Sequence, residues 1–121
     1  MMLINQVARE TGVPIHTIRY YENLGLFKGK KDPEVKSNNY SWYDGEIIEK
    51  IELIMIAKEI GFTLAEIRDL LNAWYENKLS VEEKKAILTD KIKEVDNKIS
   101  QLKNMRIRII KLINEVEEGL C

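Results

Sequence analysis

The chain has 121 residues, 45% hydrophobic and 32% charged, which suffices for one compact domain plus an extension and leaves no room for a second large domain. Nineteen Lys and Arg against 20 Asp and Glu leave a formal charge of −1, so the bulk composition does not point to nucleic acid. No apolar run approaches the roughly 18 residues of a membrane-spanning helix. Asn5, Arg9 and Glu10 interrupt the start where a signal peptide would be apolar, so a cytoplasmic protein with no membrane partner is expected.

The one cysteine, Cys121, allows no internal disulfide, and with His16 as the one histidine no Cys/His cluster has metal-ligand spacing. No metal site and no cofactor is expected. Paired carboxylates in a cleft, a nucleophile beside a base and a Gly-rich phosphate loop are all missing from the pattern, so the chain does not read as an enzyme.

In chain order, helix signals dominate. Ile4, Val7 and Ala8 share a helical face, and Gly12 can take the left-handed conformation that ends a helix. Pro14 suits the first turn of a second helix running to about Asn23, before Gly25. Two short helices joined at Gly12-Val13 predict a helix-turn-helix. Phe27 to Tyr43 has little helical period, and its Asn38-Asn39 followed by "YSWY" predicts a small β-hairpin, or wing. A third helix is expected from Asp44 as N-cap to Gly61, with Ile47, Ile48, Ile51, Ile54 and Met55 at helical spacing.

Thr63 with Glu66 forms a capping box that opens a fourth helix, expected to reach about Glu76. Ser80 with Glu83 repeats the box and opens a last helix that could extend to Glu118, roughly 57 Å at 1.5 Å per residue. Along it Leu88, Ile92, Val95, Ile99, Leu102, Arg106, Ile109, Ile113 and Val116 alternate steps of four and three, a heptad seam interrupted once by arginine. One helix of that length cannot bury such a stripe against a domain of some 75 residues, so a partner chain and a dimeric coiled coil are expected. Arg106 either snorkels to solvent or fixes register by pairing with a partner carboxylate. The expected domains are 1–77, a DNA-binding unit with accessory helices, and 80–119, the dimerisation helix.

The stretch "PIHTIRYYENLGL" carries the functional signal. Ile18 anchors its helix in the core, while His16, Thr17, Arg19 and Tyr20 share the polar face, with Tyr21 near the boundary. Arginine can fork onto a phosphate or a guanine edge, Tyr and Thr hydroxyls reach phosphate oxygens, and a short helix fits the major groove. The same residues also allow a purely structural arrangement, in which Arg19 pairs with Glu22 or Asn23 and the tyrosines are half-buried core.

"INQVARETGVPIHTIRYYENLGL", "NNYSWY", "AKEIGFTLAEIRDLL" and the long last helix together resemble the MerR family of bacterial transcription regulators, in the right order over essentially the whole chain. The resemblance implies a mainly α fold with a winged helix-turn-helix and an antiparallel coiled-coil homodimer. It further implies binding to pseudo-palindromic, double-stranded promoter DNA, which is bent and untwisted so that RNA polymerase can use the promoter once an effector is sensed. It also implies that His16 and Arg19 face bases or phosphates, that Tyr20 and Tyr21 reach the DNA backbone, and that Tyr40 contributes from the wing. Ser41 departs from the pattern, since relatives usually carry a phosphate-binding arginine there; among Lys28, Lys30, Lys31 and Lys36, Lys36 is the favoured substitute for that charge. The effector is unknown, and a small molecule bound near Trp42, Trp74 and Tyr75 is one option. A coiled-coil adaptor or architectural protein that keeps the helix-turn-helix as scaffold is the alternative function. It is favoured by Ser41 and by the near balance of six basic and five acidic residues in positions 1–45.

Overall fold

The computed structural model describes residues 1–31 and 41–119 and divides into two compact units, Met1–Lys78 and the segment from Leu79 onward. It is mainly helical with one two-stranded antiparallel hairpin, as the sequence pattern implies.

In the first unit, α1 spans Ile4–Thr11 and α2 spans Ile15–Asn23. Gly12 closes α1 at φ +74°, a conformation costly for any residue with a Cβ, and its N–H bonds the Ala8 carbonyl at 2.9 Å. Thr11 reinforces the turn, donating its hydroxyl to the Val7 carbonyl at 2.8 Å and accepting the Val13 amide at 3.2 Å. Pro14 stands one position earlier than expected, immediately ahead of α2, where its carbonyl accepts from the amides of Thr17 and Ile18 at 3.0 and 3.1 Å. Val7 and Ile18, both fully buried, anchor α1 and α2 in the core.

Strands β1 (Lys30–Lys31) and β2 (Ser41–Trp42) pair antiparallel, Lys30 with Trp42 and Lys31 with Ser41. The connecting segment, which includes Lys36, Asn38, Asn39 and Tyr40, lies outside the described residues. Met2 and Tyr43 exchange backbone hydrogen bonds of 2.7 and 2.8 Å, tying the start of the chain to the base of the hairpin.

Helix α3 (Glu46–Glu59) begins one residue later than Asp44 capping would give; Gly45 takes the cap position and Asp44 Oδ1 accepts the Glu46 amide at 3.1 Å. Helix α4 (Leu64–Leu71) starts on the Thr63/Glu66 capping box, with both reciprocal bonds made at 2.9 and 3.2 Å. Expected as one α-helix to about Glu76, this element instead changes at Asn72 into a π-helical segment, Asn72–Glu76, and the Asn77 amide reaches back five residues to the Asn72 carbonyl at 3.0 Å. The core of the unit centres on Val7, Ile18, Ile51, Ile54 and Ile67, with Tyr21, Leu26, Phe27, Tyr43 and Leu71 around them.

The second unit is α5, 37 residues from Val81 to Glu117, opened by the Ser80/Glu83 capping box. Every apolar residue named in its heptad seam is exposed, from 40% at Leu88 to 62% at Leu102. Among the described residues no helix is long and apolar enough to cross a membrane.

Candidate nucleic-acid interface

Helix α2 turns two faces to two environments. Ile18 and Tyr21, three residues apart, go into the core, leaving His16, Arg19 and Tyr20 exposed, Tyr20 at 51%. Thr17 is half-buried beside them. Among the described residues Arg19 makes no ion pair, so its guanidinium keeps its fork of donors for an outside acceptor.

The two tyrosines part company. Their rings lie 6.1 Å apart at 45°, yet Tyr21 is 4% exposed and its hydroxyl accepts from Lys58 Nζ at 3.2 Å. Tyr21 is therefore a core residue whose polar tip is already partnered by α3. The 100° step between adjacent helical residues is what separates it from Tyr20.

Glu22 lies on the inward side of α2, where its Oε1 accepts two hydrogen bonds, from the Gly29 amide at 3.0 Å and from the Tyr43 hydroxyl at 2.8 Å. Burial, together with this bond to Glu22 and its negative charge, pushes the Tyr43 phenol well above the usual tyrosine range, while Ser41 and the Arg19 charge pull weakly the other way. Tyr43 is thus a neutral donor at any physiological pH. On the hairpin, Lys28, Lys30 and Lys31 are exposed, and Lys30 makes a 3.7 Å ion pair with Asp44 that, at 66% and 45% exposure, holds the two weakly.

A cavity of about 650 Å³ is bounded by Glu22, Lys28, Lys31, Lys50, Asn72 and Glu76 among others. Trp42, Trp74 and Tyr75, the aromatics expected near a ligand, are not in its wall. Tyr75 instead stacks under Lys50 Nζ, 5.2 Å from its ring centre, and its phenol is held above the usual range by burial and by the charges of Glu49, Glu46 and Glu52. Among the described residues no group of three or more His, Cys, Asp or Glu could hold a metal ion.

The second helix of a helix-turn-helix thus presents an exposed basic and phenolic face, with a lysine-bearing hairpin in the same unit. The profile of the MerR HTH family regulatory proteins matches residues 2–74, and that of the MerR DNA-binding segment matches residues 48–112. The chain belongs to the MerR family.

Among its MerR relatives, a Haemophilus influenzae protein named as a homologue of the HTH-type transcriptional regulator ZntR is 33% identical over 111 residues, covering 92% of this chain and 80% of the relative. The HTH-type transcriptional regulator CueR of Yersinia pestis is 34% identical over 115 residues, covering 94% and 80%. In three dimensions the lead(II)-bound transcription regulator PbrR691 of Ralstonia metallidurans superposes with a TM-score of 0.74 at 26% identity, over 95% of this chain and 88% of that one. The chain is therefore a MerR-type DNA-binding transcriptional regulator, and its relatives are regulators rather than enzymes.

Sequence reasoning did not assign Glu22, Gly29 and Tyr43 to this MerR module's interface. Glu22 offered one signal, a carboxylate four residues from Ile18 on the apolar side of its helix, where a charge needs partners. Those partners are 7 and 21 residues away, so no local pattern names them.

Proposed function

We propose that two copies of this chain join along α5 in an antiparallel coiled coil and hold two α2 helices in successive major grooves of a pseudo-palindromic promoter, about 34 Å apart. His16 and Arg19 read bases or phosphates, while Thr17 and Tyr20 donate to the DNA backbone. Lys36 and Tyr40 act from the wing. The dimer acts on transcription by distorting the duplex, so that the sequence-dependent cost of bending and untwisting sets both specificity and the response of RNA polymerase. A small-molecule effector of unassigned chemistry would shift that distortion.

The observation that carries this reading is the unburied seam of α5. Ile92, Leu102, Ile109 and Val116 are each more than half exposed, and fully burying one such side chain stabilises by about 1.5–3 kcal/mol, which only a second chain can supply to all of them. Arg106 interrupts the seam and fixes its register against a partner carboxylate.

Sedimentation at micromolar concentration should give a dimer. Gel shift on the promoter upstream of the protein's own gene should give a specific complex that Arg19→Ala weakens at one base position and Tyr20→Phe weakens on all sequences alike. With six basic and five acidic residues in positions 1–45, affinity rests on placement rather than on charge excess. Log K should fall by about 0.9 per neutralised phosphate, and a slope near −10 in log salt would contradict this. The second reading, a coiled-coil adaptor, is favoured by Ser41 and by that charge balance; it requires a wild-type dimer with no specific shift at all.

A further inference from the structure

One carboxylate oxygen joins both ends of the hairpin to the recognition helix. Glu22 sits in the last turn of α2. Gly29, which donates its amide to Glu22 Oε1, directly precedes β1, and Tyr43, which donates its hydroxyl to the same atom, directly follows β2. Both donors are buried, Tyr43 at 3% exposure, and Glu22 itself is half-buried, so these charge-assisted bonds are partly shielded from competing water.

The contact leaves no slack at Gly29. A Cβ there would lie 2.8 Å from the Ser41 Cβ and 2.9 Å from the Tyr43 Cε1, closer than side chains pack, so the strand entry passes against the Tyr43 ring only because residue 29 has no side chain. Lys28 and Lys30 flank that glycine, and both are exposed. A shift of Gly29 therefore moves the two ammonium-bearing residues with it.

We propose that Glu22 is a positioning residue for DNA binding: it does not touch the duplex but pins the base of the wing to α2, so that the wing lysines and the Arg19/Tyr20 face meet one phosphate backbone in fixed register. The carboxylate serves as an acceptor of two hydrogen bonds. Its negative charge is stabilised by the two donors and is directed at the hairpin base by them. Sites of this kind work when the residues behind the contacting ones hold them within a fraction of an ångström.

The inference rests on the DNA-binding reading, and the full-length protein tests both separately. Salt titration of binding to the gene's own promoter is compared for wild type, Glu22→Ala and Glu22→Gln, with amide exchange at Gly29 and thermal unfolding followed on the same samples. Glutamine keeps an oxygen able to accept both bonds, whereas alanine keeps none.

For Glu22→Ala the expected result is about tenfold weaker binding, a salt slope shallower by about 1 to 2 as wing–phosphate contacts are lost, and faster exchange at Gly29. Glu22→Gln should restore all three. A general loss of fold would instead lower binding in proportion to the unfolded fraction and leave the slope of the remainder unchanged. Should Glu22→Ala unfold, Tyr43→Phe removes one of the two bonds with the ring kept and should still make the slope shallower. Wild-type slope and affinity in Glu22→Ala, or no recovery in Glu22→Gln while Gly29 stays protected, overturns the proposal with DNA binding intact. Absence of any specific complex with wild type overturns the DNA-binding reading, and this role with it.

Discussion

Residues 1–78 and α5 solve opposite problems with the same kind of side chain. In the first unit Val7, Ile18, Ile51, Ile54 and Ile67 each fall below 2% exposure, so it builds a core within one chain, although Met55, Ile56 and Ile60, on α3 and its C-cap, stay exposed. The 37 residues of α5 hold ten isoleucines and leucines, yet Ile92, Ile99, Leu102, Ile109 and Ile113 lie between 45% and 62% exposed. Helical period is present in both. The difference teaches that a stripe straight along 37 residues has no neighbour within its own unit to cover it, whereas short helices with sharp turns fold back on one another.

The sharpest way to break this contrast is a charge in the seam. Leu102→Glu, placed twice in a symmetric dimer, should cost about 4 kcal/mol or more of association and give monomers by sedimentation while the first unit keeps its helical circular dichroism. The converse change is Ile18→Ala, which leaves a cavity in the first unit and should lower its stability by about 2–5 kcal/mol in denaturant titration with dimerisation retained. Next in size, Arg19→Ala should relax preference at one base position by about 1–3 kcal/mol in competition gel shifts with neither unit destabilised. The smallest effect sharpens the comparison from the side of local structure. Thr63→Ala and Ser80→Ala each remove a capping acceptor and should cost about 1 kcal/mol by thermal unfolding, Thr63→Ala in the first unit and Ser80→Ala at the start of α5.

Features governed by neighbours in sequence were legible beforehand. Gly12 ends α1, both capping boxes form with their reciprocal bonds, and α5 ends one residue short of the expected Glu118. Each depends on donors and acceptors three or four residues apart, which one helical turn brings together whatever surrounds it. The π-helical segment at Asn72–Glu76 was not legible, because no capping or turn residue marks a register change from four to five residues.

The candidate interface divides along the same line. His16, Arg19 and Tyr20 could be assigned outward from the position of Ile18 alone, since a rigid 3.6-residue period carries one known face to all others. Tyr21 could not, being at the boundary where a few degrees of helix rotation decide how deeply its ring is buried; its ring goes into the core and its hydroxyl accepts from Lys58 on α3.

The amino-acid order by itself determined where the helices begin and end, which face of α2 is polar, and that α5 carries a continuous apolar stripe. All of these follow from backbone geometry repeating over short range. Only the folded chain decided that Tyr21 is core, that Gly29 must pass against the Tyr43 ring, and that one oxygen of Glu22 receives donors from both ends of the hairpin. Those relations join residues up to 37 positions apart, and a hydrogen bond depends on distances of a few tenths of an ångström that only packing can set.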